Sequence, residues 1–272
     1  MDPWLEAVLV GLVQGLLEWL PVSSEGATAL FLTLVGGADA GAAVQYALFL
    51  HAGTALAAVA YYRRDLAAVV ATLPDLDPRT AFEPATADLA FLGVATVVSA
   101  VVGLTAYATL LAVATALAGG AFVALIGGLL VATGVVQRVA ETRAVPRRDS
   151  PTPLDALLVG ALQGLAILPG VSRSGTTVSA LLLRGHEGEA ALRLSFLLSV
   201  PAALGAGVLA TLDGGVAAVD PGPAILALAM SAVVGYLTVG ALVALVRRVA
   251  FWAVAVGFGA LAVVGGGVLL LA

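Results

Sequence analysis

Six stretches of this chain, 43–62, 87–110, 121–136, 191–212, 224–246 and 250–272, are apolar and nearly free of charge. Each approaches the roughly 20 residues that cross a hydrocarbon layer about 30 Å thick as a helix. In lipid a segment must satisfy its own backbone N–H and C=O groups, so runs of this length fold as helices. The alternation of a strand is absent. Of 272 residues, 61% are hydrophobic and 11% charged, against about a quarter charged in a soluble domain. The expected class is an all-α polytopic membrane protein, multi-pass in the cell (plasma) membrane. The N-terminus has no basic n-region and reads as mature sequence. The absence of cysteine excludes disulfides and thiolate metal sites. No basic patch extends beyond short loops, so nucleic acid is not an expected partner.

Two polar stretches interrupt this apolar background. Residues 10–26 and 159–175 align without a gap at an offset of 149, and eight of the seventeen pairs are identical. The identities include Gln14/Gln163, Gly15/Gly164, Ser23/Ser172 and Gly26/Gly175, so shared hydrophobicity does not explain the match. The chain reads as two copies of one unit. Pro21 and the Pro169-Gly170 pair break each motif, because proline cannot continue the helical ladder. Each motif therefore predicts a helix–break–helix hairpin, over 4–35 and 154–183. Broken backbone is tolerated at membrane depth where it lines a cavity or is buried in protein.

Arginine sets the orientation. With the loops after Tyr62, Val136, Leu183 and Val246 on the cytoplasmic side, eleven of the twelve arginines lie inside. The first repeat is then 1–137, the linker 138–153, and the second repeat 154–272. Each repeat is a re-entrant hairpin plus three spans, in opposite orientations. Such an inverted-topology repeat should bring the two breaks together near the midplane.

Gln14 and Glu18 are four residues apart and share a helix face. A carboxylate at membrane depth is costly and usually faces a cavity or a partner. Glu18 reads as a general base, a metal ligand, the counter-charge of Arg173, or simply a helix-pairing residue. Of Ser23 and Ser24, one caps the second hairpin helix; the other is open as a nucleophile or phosphate contact. The stretch 169–177 joins a break, a helix start, Ser172, Arg173, Ser174, Gly175 and Thr177. Free N–H groups at a helix N-terminus and a guanidinium both suit phosphate oxygens. His51, inside a span, is a site candidate or a packing residue. His186 and the acidic residues Asp65, Asp75, Asp77 and Glu83 read as solvated loop positions.

QGLLEWLPVSSEG resembles the E/Q-x-x-x-E and LPVSS-x-G segments of the bacitracin-resistance type of undecaprenyl-diphosphate phosphatases, and LPGVSRSGTT resembles their PG-x-SRS-x-x-T motif. FLHAGTALAAVAYY and SFLLSVPAA also look like family segments. The resemblance implies hydrolysis of a polyprenyl diphosphate, undecaprenyl or dolichyl in type, to the monophosphate and phosphate. It implies dependence on Mg²⁺ or Ca²⁺, with Glu18 the candidate ligand, and a site opening outward. Carried over, Glu18, Ser24 and Arg173 are the catalytic candidates. Gln14, Ser23, Ser172, Ser174, Gly175 and Thr177 are the substrate-binding candidates. Bacterial members commonly carry His where this chain has Ala27, and Glu25 stands where a small polar residue is common; the departure points to an archaeal-type or divergent member, and Glu25 and His51 are auxiliary candidates. The expected partners are the lipid substrate and the bilayer, with a homodimer left open. The rival reading is a flippase or anion transporter that uses the same residues without chemistry.

Overall fold

The computed structural model describes residues 2–117, 119–143, 145–213, 220–246 and 248–271, with the side chains of 110–116 left aside. The loop expected over 213–223 therefore falls mostly outside the described residues, as does Arg247. The described regular structure is helical: α1 (Pro3–Leu17), α2 (Ser24–Leu34), α3 (Ala40–Tyr61), α4 (Arg63–Ala71), α5 (Ala87–Ala116), α6 (Gly120–Thr142), α7 (Pro153–Leu165), α8 (Arg173–Leu183), α9 (Gly188–Leu212), α10 (Pro221–Val246) and α11 (Phe251–Leu271).

Helices α3, α5, α6, α9, α10 and α11 are long and apolar enough to cross a membrane. They occupy the six expected stretches. Helix α5 runs past 110 to Ala116, since no breaker precedes Gly119, where φ is +54°. Helix α6 runs past 136 to Thr142, and Arg138 stacks over the Trp252 ring at 4.3 Å. One helix was not expected. Arg63–Ala71 forms α4, followed by a 3-10 turn at Leu73–Asp75, where the sequence suggested a loop. Asp65 on α4 is not plain solvated charge either: Arg193 of α9 bonds it at 3.2 Å and Asp88 of α5 at 2.6 Å.

The two motifs form helix–break–helix units. Helices α1 and α2 have 15 and 11 residues, and α7 and α8 have 13 and 11. At about 1.5 Å per residue none exceeds about 23 Å. The Asp2 side chain caps α1. A capping box closes α7, with Thr152 and Asp155 satisfying each other's backbone N–H groups. His186 departs from its expected surface role, because it is buried with its Nε2 3.3 Å from Asp155. Arg184 also reaches Asp155, and the positive φ of Gly185 turns the chain between them. This cluster ties the start of α7 to the end of α8.

Helix α1 packs on α10 and α7 on α5, while α3 meets α9 and α6 meets α11. Small residues set the closeness. A Cβ on Gly15 would lie 2.9 Å from Ser231 O, and one on Gly164 would lie 2.8 Å from Ser99 O. Small residues let helices approach where lipid supplies no hydrophobic drive. Gly164→Leu should therefore cost about 1–3 kcal/mol by overpacking, read as a lower melting temperature in detergent. Gly257→Leu, at a position with open space around it, should melt like the parent.

Candidate active site

The two breaks meet. Ser23 N-caps α2 and accepts from Gly26 N at 3.2 Å; it also accepts from Gly170 N, across in the other hairpin, at 3.0 Å. It does so at φ 62°, a left-handed conformation that a non-glycine residue adopts only under constraint. Gly170 has φ +99°, and a Cβ on Gly26 would sit 2.9 Å from Gly170 N. The glycines thus allow the backbones to touch. Gln137 of α6 secures the first break, donating to Pro21 O at 2.8 Å.

Glu18 lies at the centre of the contact. Arg173 Nη2 donates to its Oε1 at 2.5 Å. Ser24 Oγ and Gln14 Nε2 donate to its Oε2 at 2.7 and 3.0 Å. Thr28 in turn donates to Gln14 Oε1 at 3.0 Å, which fixes the amide orientation. The His51 ring places Nδ1 2.8 Å from Ala47 O and Nε2 3.4 Å from Glu18 Oε2. A carbonyl only accepts, so Nδ1 carries a proton and Nε2 faces the carboxylate. The backbone bond thus aims the ring at Glu18.

These groups wall one end of a cavity of about 400 Å³. Glu18, Ser23, Ser24, Glu25, His51, Ser172, Arg173 and Ser174 line it. The other end is apolar, between Ala100, Gly103 and Leu104 of α5 and Gly205, Val208 and Leu212 of α9. Leu104, Val208 and Leu212 also face outward, at 56%, 57% and 81% exposure. Pro201 lies inside α9 along this wall.

Three of the expected substrate contacts sit behind the wall. Gln14 is fully buried and orients Glu18. Thr177 bonds Ser195 Oγ at 2.7 Å and is fully buried. Gly175 lines a separate cavity of about 60 Å³ on the far side of Ser174. Ser172 caps α8 by accepting from Gly175 N at 3.2 Å. Ser174 leans on Leu20 O at 3.4 Å, another contact between the breaks. Gln163, the repeat partner of Gln14, lines the cavity and reaches Ser99 Oγ at 3.3 Å. It was visible in the repeat but had no role there. Gln137 had no sequence signal beyond a polar residue at a helix end.

Three polar atoms on residues lining the cavity are buried without a partner: Arg173 Nη1, Glu25 Oε1 and Gln163 Oε1. Of these, the first is a cationic donor and the second a carboxylate acceptor.

Comparison with known proteins places the chain in a family. The family model for the bacitracin resistance protein BacA matches residues 7–264. The chain belongs to the BacA family. A protein named undecaprenyl-diphosphatase from Haloarcula marismortui is 59% identical over 98% of both chains. Another of that name, from Methanopyrus kandleri, is 38% identical over 94% of this chain and 93% of its own. A third, from Methanococcoides burtonii, is 41% identical over 73% and 75%. With six apolar helices, this BacA-family chain is a multi-pass membrane protein.

Ser23→Ala would leave two buried N–H groups without an acceptor, at about 1–3 kcal/mol each. The expected result is a lower melting temperature in detergent and weakened contact between the hairpins. An unchanged melting temperature would remove Ser23 from the junction.

Proposed function

We propose that this protein hydrolyses a polyprenyl diphosphate, of undecaprenyl or dolichyl type, to the monophosphate and phosphate. The observation that carries the reading is Ser24 Oγ donating to Glu18 Oε2 at 2.7 Å, beside a guanidinium with one free arm. A nucleophile within hydrogen-bond reach of a base, with a cation where charge develops, is an arrangement for phosphoryl transfer. The names of the relatives support the same substrate. The transporter reading gains nothing from them.

In this scheme Arg173 Nη1 takes an oxygen of the diphosphate while Nη2 stays on Glu18. The Ser24 hydroxyl oxygen attacks the terminal phosphorus and its proton passes to Glu18. The bond from that phosphorus to the bridging oxygen breaks, and the departing prenyl monophosphate takes the proton from Glu18. Water then attacks the phosphoserine, again with Glu18 as base, releasing phosphate and restoring Ser24. His51 keeps Glu18 oriented from the α3 side, while Ala27 on α2 offers no imidazole. A cavity of about 400 Å³ is at the small end for ligand sites, so most of a long prenyl tail would lie outside it. The tail would leave between α5 and α9, where the exposed apolar side chains face lipid.

The residues fit a divalent cation: two buried carboxylates line one cavity, and one has an oxygen with no partner. Glu25, whose Oε1 has no partner, is the side chain that would hold it, with Glu18 in the same cavity wall. When bound, it would neutralise charge on phosphate oxygens as a Lewis acid.

We read the two halves as an inverted repeat with re-entrant hairpins, opening outward in the plasma membrane. Support comes from the reciprocal packing of α1 on α10 and α7 on α5. The shortness of the four hairpin helices supports it too.

Purified protein in detergent with Mg²⁺ should release phosphate from a prenyl diphosphate. Ser24→Ala, Glu18→Gln and Arg173→Lys should each lower kcat about 100-fold or more, with folding checked by melting. Full activity in the Glu18 and Arg173 variants would sink this site.

A further inference from the structure

Glu25 is the charge that the site leaves unanswered. It is the second residue of α2, 5% exposed, in the wall of the cavity. Its Oε1 is buried and has no hydrogen-bond partner. Glu18 is in the opposite condition. Arg173 occupies its Oε1, Ser24 and Gln14 occupy its Oε2, and His51 stands 3.4 Å away. A carboxylate offers about four acceptor positions, and Glu18 has three filled by donors. A cation approaching Glu18 finds three positions taken and His51 beside the remainder; Glu25 Oε1 holds no hydrogen-bond donor that a cation would have to displace. Leaving a buried carboxylate oxygen unpaired is costly. A site that keeps one is suited to a cation that arrives from outside.

We propose that Glu25, rather than Glu18, anchors a divalent cation, and that the cation enters together with the diphosphate. The proposal rests on the phosphatase reading. Among the described residues no three His, Asp or Glu side chains are grouped to hold a metal unaided. The remaining ligands are therefore phosphate oxygens and water. That is how Mg²⁺ is often held, by one or two carboxylates plus substrate phosphates. The division of labour also has a chemical consequence. A carboxylate that coordinates a cation loses basicity, so holding the cation on Glu25 leaves Glu18 free to accept the Ser24 proton. In the resting site Arg173 Nη1 has no acceptor and Glu25 Oε1 no donor, the positions that an anion and its counter-ion would fill.

Mn²⁺ binding to the purified full chain, followed by electron paramagnetic resonance in detergent, tests this. The probe is a prenyl methylenediphosphonate, which cannot be hydrolysed, with Mn²⁺ bound to the probe alone subtracted. The wild type should bind Mn²⁺ about tenfold or more tightly with the probe than without it. Glu25→Gln should lose that gain while binding the metal-free probe as the wild type does. Glu25→Asp, which keeps the charge, should retain part of it. Wild-type Mn²⁺ affinity in Glu25→Gln with the probe present would overturn the assignment. So would equal affinity of the wild type with and without the probe. A wild type that does not bind the probe at all would bring down the phosphatase reading itself, and the cation site with it.

Discussion

The ion pair between Glu18 and Arg173 joins two hairpins whose partners are 155 residues apart in the chain. Each charge alone would be expensive in an apolar surrounding. Together they are tolerable only if their geometry is fixed and the other lone pairs are met. The rest of the site supplies that. Ser24 and Gln14 satisfy the second oxygen, Thr28 holds Gln14, and the α3 imidazole closes the remaining side. The pair therefore fixes a register between α1 and α8 as well as a charge balance.

Bringing the charges together requires the backbones to touch first. Four glycines on α1 and α7 seat these helices against α10 and α5 with almost no side chain between them. Ser23, held in a left-handed conformation, bonds both its own helix start and the opposite break. Strain of this kind persists only where the surroundings over-determine it. Here the Gln137 bond to Pro21 O and the contact of Gly26 with Gly170 provide that determination. The polar junction and the close helix packing are two parts of one constraint.

Much of this was legible in the sequence because it follows from local physics. Apolar length gave the six spans, and proline gave the breaks at Pro21 and Pro169. A carboxylate and a guanidinium in repeated motifs marked Glu18 and Arg173 as partners. Other features were illegible for equally physical reasons. Helix α4 is short, and its Asp65 finds Arg193 only through tertiary contact. His186 looked like loop surface because the sequence does not show that Gly185 turns it back onto Asp155. Thr177 and Gly175 share the cavity motif by position, but helical rotation points them behind the wall.

By itself the sequence determined a helical membrane protein with a polar, proline-broken motif that recurs at 10–26 and 159–175, because backbone satisfaction in lipid and proline geometry act on neighbouring residues. Only the tertiary structure decided which polar atoms are spent and which are open. Glu18 has its oxygens filled by donors from α1, α2 and α8, with His51 of α3 beside them, whereas Glu25, seven residues later, keeps one oxygen empty. That difference depends on what α3 and α8 bring to the first hairpin, and no local spacing encodes it.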